Sequence, residues 1–92
     1  MFSYKLSLEA ESDITRLYLY GYSKFGMAQA DKYYDMLFEC FDKIAANPYL
    51  FPSAEHVKKG FRSCVCGIET IYYKIKNDNL VEIITIIGRQ DF

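Results

Sequence analysis

The chain has little of what chemistry on a substrate usually requires. It carries one histidine, His56, and no excess of either charge: eleven Lys and Arg stand against twelve Asp and Glu in 92 residues, a formal net charge of −1. Proteins that hold a nucleic-acid backbone show a clear basic excess, so direct sequence-specific nucleic-acid binding is not expected. The one basic stretch, HVKKGFR at 56–62, reads as a solvated loop. No window approaches the ~18 apolar residues of a membrane span. The first residues, MFSYKLSLEAESD, lack the charged-then-apolar pattern of a signal peptide, and the expected compartment is the cytoplasm. A Gly-rich phosphate loop, GxSxG and HExxH are all missing. There are three cysteines, Cys40, Cys64 and Cys66. The last two are one residue apart on one strand face and cannot form an ordinary disulfide with each other. A metal site would want CxxC spacing and more ligands than a lone histidine. All three are therefore expected as reduced, packed thiols, with no metal and no cofactor.

What is present is apolar and aromatic. Hydrophobic residues make up 51% of the chain, including nine Tyr and seven Phe, enough for one domain over 1–92 with a core of its own. YKLSL at 4–8 alternates apolar and polar and predicts a first strand. Beyond it, Ala10, Ile14, Leu17, Tyr18 and Phe25 fall at helical spacing. Glu9, Glu11 and Asp13 crowd the first turns, where carboxylates suit the positive end of the helix dipole and point into water. Gly26 breaks the helix. Ala30, Tyr33, Tyr34, Leu37, Phe38, Phe41, Ile44 and Ala45 then form the apolar stripe of a second helix, which stops at Asn47-Pro48. The two helices are expected to form an antiparallel hairpin. After a loop at 48–60, FRSCVC, IETIYYKIK and LVEIITII at 61–66, 68–76 and 80–87 read as three strands, the last two joined by an NDN turn. The fold class is α+β: a strand, a helical hairpin and three antiparallel strands, the helices packed on one face of a small sheet.

Two features bear on function. The final strand is apolar on both faces, with Leu80, Ile84 and Ile86 on one and Val81, Ile83 and Ile87 on the other. Two helices cover only one face, so the second must meet a partner, the favoured reading, or be covered by the N-terminal segment or the 48–60 loop. The second feature is a polar set, Arg62, Glu69, Tyr72, Lys74, Arg89 and Asp91, on or at the ends of the last three strands. Such groups could run acid/base chemistry on a phosphodiester. They also make ordinary cross-strand ion pairs, which is the favoured reading.

The order and spacing of these segments resemble the ParE branch of the RelE/ParE toxin superfamily over nearly the whole chain. YKLSLEAESDI is similar to the family's first strand and acidic helix start. Phe25, Gly26, Gln29, Ala30 and Tyr33 match an FGxxQAxxY core; Ile44, Ala45, Asn47 and Pro48 match the phrase that ends the second helix. Gly60, Arg62, Ile71, Tyr73 and Ile75 match its GxRxxxxxxHxIxYxI strand pair. Two departures stand out: Glu69 and Gly88 occupy positions where the family often has histidine. The resemblance implies a toxin of a type II toxin–antitoxin module that inhibits DNA gyrase by binding, without catalysis of its own. It would be neutralised in a hetero-oligomer by a ParD-like antitoxin whose C-terminal segment folds on it. Arg62, Arg89, Gln90, Asp91 and Phe92 are the implied target-binding set; Leu17, Tyr18, Phe25, Tyr34 and Phe38 are the antitoxin groove or core. The alternatives are a RelE-like ribosome-dependent messenger-RNA endoribonuclease using Arg62, Tyr72, Lys74 and Arg89, and a non-toxic antitoxin-binding relic.

Overall fold

The computed structural model describes residues 2–88. Its elements run β1 (Ser3–Leu6), α1 (Leu8–Phe25), α2 (Met27–Ala46), β2 (Arg62–Cys66), β3 (Glu69–Asn77) and β4 (Leu80–Gly88). The expected order is present, with the first strand ending earlier than its alternation suggested. Ser7 leaves the strand and caps α1: its hydroxyl accepts from the Ala10 N–H at 3.0 Å and donates to the Ile84 carbonyl at 2.6 Å, satisfying one of the helix's unpaired donors. Gly26, at φ 89°, separates the helices, a conformation that costs a side-chain-bearing residue strain.

The strand order is β1-β4-β3-β2, with β1 parallel to β4 and the remaining pairs antiparallel. Both helices pack on one face. The core between them joins Ala10, Ile14 and Leu17 of α1 and Leu37, Phe41 and Ile44 of α2 to Ile71, Tyr73, Val81, Ile83 and Ile86 of the sheet. Tyr73 is fully buried, and its hydroxyl donates to the Pro48 carbonyl at 2.5 Å. Burial, more than any charge nearby, pushes its pKa up to about 12.

Four expectations are corrected. First, Ile86 does not share a face with Leu80 and Ile84. Tyr73 pairs with Ile83 and Tyr72 with Thr85, so Ile84 is an extra residue in β4. A bulge of this kind resets the alternation, and Ile86 joins Val81 and Ile83 in the core. Second, the cysteines are not all reduced. Cys40 of α2 and Cys66 of β2 form a disulfide across 26 residues, with Cα atoms 6.5 Å apart, and Cys64 alone is a free thiol, buried. Chain spacing bears only on the neighbouring pair, Cys64 and Cys66, whereas the partner of Cys66 arrives from the facing helix. Third, Asp13 does not point into water. β1 ends at Leu6, opposite Ile83, leaving the next stretch of β4 with an open edge. The Asp13 carboxylate accepts from the Ile86 N–H at 3.0 Å and the Thr85 hydroxyl at 2.7 Å along that edge. Fourth, the apolar surplus is not concentrated on the second sheet face. Thr70, Tyr72, Thr85 and Ile87 there are half-buried and Val65 is exposed. The 48–60 loop does not cover that face; it closes on the β2 edge through the Ser53–Arg62 bridge and sets Phe51 against Tyr73.

Candidate partner-binding site

The exposed apolar surface gathers instead on the hairpin. Leu19, Tyr20, Tyr22 and Phe25 from the second half of α1, with Met27 and Tyr34 from α2, are all exposed, Phe25 by 69%. The core stripe of α1 ends with Leu17, because beyond it the helix runs past the sheet and meets only α2. The helices approach closely there: a Cβ on Gly21 would lie 3.8 Å from Ala30.

Two hollows flank this hairpin. One, of about 550 Å³, is lined by Ile14, Tyr18, Leu19, Asp31 and Tyr34 among others. Tyr18 spans it, donating to Asp31 Oδ1 at 2.7 Å; that bond and the carboxylate's charge raise the phenol's pKa. The other, of about 750 Å³, lies between the two helices and the β3–β4 end, with Leu17, Tyr20, Phe25, Tyr33, Met36 and Ile68 in its walls. Glu69 and Gly88 close its floor.

The hairpin residues expected from the sequence are thereby sorted. Leu17 is core and also lines the larger hollow; Phe25 stands on that hollow's rim. Tyr18 and Tyr34 line the smaller one. Phe38 is packed against the core and joins Tyr34 to Phe41 through ring contacts with centroids 4.6 and 5.1 Å apart.

Glu69 is the unusual group. It is 3% exposed, the buried charged residue of the core region, and its Oε2 has no hydrogen-bond partner among the described residues. The Tyr33 phenol stands beside it: burial first, then the Glu69 carboxylate, push the phenol's pKa well above its ordinary range. The Tyr33 hydroxyl nevertheless completes no hydrogen bond of acceptable geometry among the described residues. Glu69 pairs in register with Gly88. A Cβ built on Gly88 would overlap Glu69 Oε2 and lie 2.9 Å from its Cδ and 3.0 Å from its Oε1, closer than packed atoms tolerate. The two departures from the family pattern are therefore one unit: the carboxylate fills the space that a side chain at position 88 would take. Neither residue was flagged as a pair by sequence spacing, since they meet only through the β3–β4 register.

The polar set does not converge. Arg62 pairs with Tyr73, so it shares the helix-side face; its guanidinium donates to the Phe51 carbonyl at 2.8 Å and lies 5.3 Å from the Tyr49 ring centre. Tyr72 and Lys74 point to the opposite face. Glu69 shares the face of Arg62 but lies four residues along the ladder, roughly 13 Å at about 3.3 Å per residue. Lys76, not an arginine, makes the ion pair on this ladder, with Glu82 at 3.7 Å. Arg89, Gln90, Asp91 and Phe92 lie outside the described residues. His56 sits exposed in the loop. Among the described residues there is no cluster of three or more His, Cys, Asp or Glu able to hold a metal, and no helix is long and apolar enough to cross a membrane.

A helical hairpin on one face of a four-stranded mixed sheet makes this a small two-layer α+β domain. The family described as "ParE toxin of type II toxin-antitoxin system, parDE" matches residues 4–91, and the chain belongs to that family. Among similar proteins, Toxin ParE1 of Mycobacterium tuberculosis (strain H37Rv) is 24% identical over 87 residues, covering 95% of this chain and 89% of its own. Toxin ParE1 of Caulobacter vibrioides is 29% identical over 72 residues, covering 78% and 75%. The fold is shared with a chain from a structure described as the chromosomal ParDE TA system from P. aeruginosa, at a TM-score of 0.83 with 17% identity and 96% of each chain covered.

Proposed function

We propose that this toxin acts by binding DNA gyrase and blocking replication, and that a ParD-like antitoxin holds it inactive in the cytoplasm by folding over the α1–α2 hairpin. The observation that carries the antitoxin half is the hairpin surface itself. Six large apolar side chains, Leu19, Tyr20, Tyr22, Phe25, Met27 and Tyr34, are left exposed beside two hollows. A segment that is disordered alone and folds on its target needs such an apolar track to offset its ordering entropy.

Inhibition by binding fits two further facts. The net charge is −1, which gives no general attraction to messenger RNA. The described members of the candidate acid/base set, Arg62, Tyr72 and Lys74, are divided between two faces of the sheet, whereas proton transfer requires groups within hydrogen-bond reach of one reacting atom. Target contact is assigned to Arg62 and to residues 89–92 beyond the end of β4.

The deciding experiment is a supercoiling reaction with purified gyrase, ATP and this protein. Loss of supercoiling with accumulation of linear, cleaved DNA is the expected outcome. Unchanged supercoiling together with codon-positioned cuts in messenger RNA would replace gyrase by the ribosome. Deleting residues 89–92 should leave the fold intact and abolish toxicity; a folded, fully toxic truncation removes the tail from the mechanism.

A further inference from the structure

The larger hollow holds a group that the proposed function does not use. Glu69 is only 3% exposed; its Oε2 is closed from solvent and unpartnered among the described residues, and the residue lines a cavity of about 750 Å³. A buried carboxylate without a partner is unfavourable in any fold, and the Tyr33 hydroxyl beside it is likewise unsatisfied. The walls are suited to the rest of a long cationic side chain. Leu17, Met36 and Ile68 offer apolar surface for a methylene stem, and Phe25 and Tyr20 stand exposed at the rim, where aromatic faces attract a cation or stack on a guanidinium. Arg16, also in the lining, is bridged to Asp13 at 3.4 Å.

We propose that this cavity is a receptor for one basic side chain, arginine or lysine, presented between apolar neighbours by the antitoxin segment that covers the hairpin. The cationic head pairs with the Glu69 carboxylate, the stem lies along Leu17 and Met36, and the flanking apolar residues meet Phe25 and Tyr20. The choice of occupant rests on the antitoxin reading above and on charge: an unpaired buried carboxylate in the wall of a cavity whose rim residues Tyr20 and Phe25 are exposed. Charge complementarity fixes the class of side chain, because an acidic or neutral group would leave the carboxylate unpaired or repelled.

Two arms test this. In the first, phenethylguanidinium is titrated into isotope-labelled protein and followed by amide shifts, with phenethyl alcohol as the neutral comparison. Binding localised to Gly67, Glu69 and Gly88, weakened at least tenfold by Glu69→Gln, is expected; equal binding to both proteins overturns the site. Phe25→Ala, an exposed position that leaves folding untouched, should also weaken it several-fold, so the arm stands even if Glu69→Gln misfolds. In the second arm, a ParD-like antitoxin is measured against both variants. A tenfold or greater loss with Glu69→Gln, coupled in a double-mutant cycle to one antitoxin arginine or lysine, is the expected result. Antitoxin binding that Glu69→Gln leaves unchanged overturns this inference alone. An antitoxin that fails to bind the intact toxin overturns the antitoxin reading and this occupant with it. Probe binding that appears only after deletion of residues 89–92 assigns the cavity to the chain's own Arg89, and overturns the partner.

Discussion

The Glu69–Gly88 contact makes a quantitative prediction. Gly88→Ala places a methyl group onto Glu69 Oε2 and 2.9–3.0 Å from Cδ and Oε1. Overpacking of this kind costs about 1–3 kcal/mol. Gly88 is not among the glycines of positive φ, which are Gly26, Gly60 and Gly67, so alanine fits its backbone and should gain roughly 0.5–1 kcal/mol over glycine in a strand. The carboxylate is the movable end of a flexible side chain, which keeps the clash near the middle of that range, about 2 kcal/mol. In the wild-type background the substitution should therefore destabilise by about 1 kcal/mol. In a Glu69→Ala background the clash is gone, and the same change should stabilise by roughly 0.5–1 kcal/mol. The coupling energy isolates the overpacking, about 1–3 kcal/mol. Urea unfolding of the four proteins at constant m-value measures it. Glu69→Gln, which keeps the shape and removes the charge, should preserve the coupling. Effects that add within about 0.5 kcal/mol would refute the contact.

The disulfide closes a loop of 26 residues between Cys40 and Cys66; chain-entropy reasoning gives about 3.5 kcal/mol for such a loop, so dithiothreitol should lower the urea midpoint, and unfolding without reductant should expose one alkylatable thiol, Cys64, rather than three. Asp13→Ala strands the Ile86 N–H and the Thr85 hydroxyl at the β4 edge and should cost about 2–4 kcal/mol, with hydrogen exchange at Ile86 accelerated before global unfolding. Tyr73 has its folded pKa raised from 10.0 to about 12; a raised pKa stabilises fully below the unfolded value and loses its contribution as pH rises through the folded one. Stability should therefore fall between pH 10 and about 12, with a shallower fall in Tyr73→Phe, read by denaturant midpoint and tyrosinate absorbance. Tyr20→Ala combined with Phe25→Ala should change stability by less than about 0.5 kcal/mol, since both are exposed, while weakening antitoxin binding at least tenfold.

The elements were legible because their signals are local. Helical spacing, Asn47-Pro48 and the NDN turn each act over a few residues, and they placed both helices and the last three strands to within about two residues. What could not be read depends on how elements meet. The Ile84 bulge is invisible until β3 is laid against β4 and one residue is left over. Cys40–Cys66 required knowing which strand faces α2. Asp13 looked like a dipole carboxylate because nothing in its neighbourhood says that β1 will end before β4 does. Arg62 and Tyr72 are a different case. Strand parity alone places Arg62 opposite Tyr73 once the Gly67 turn is taken as two residues, and that separates the polar set from the sequence itself. For Phe25 the helical spacing was sound but the helix outran its sheet, so a stripe residue became a surface one.

The same dependence on register changes the meaning of the two missing histidines. Counted along the chain, Glu69 and Gly88 are two separate departures, and two losses of acid/base groups fit a decayed, non-toxic protein. Paired across the sheet, they are complementary: the larger residue at one position occupies the room left by the smallest at the other. Loss without compensation would leave a void, and voids in a packed interior are destabilising. Here the space is filled, and it is filled with a charge that a small domain has strong reason to keep out of its interior. A remodelled site accounts for that choice better than decay does, because a leucine at position 69 would have filled much of the same space without leaving a carboxylate oxygen unpaired.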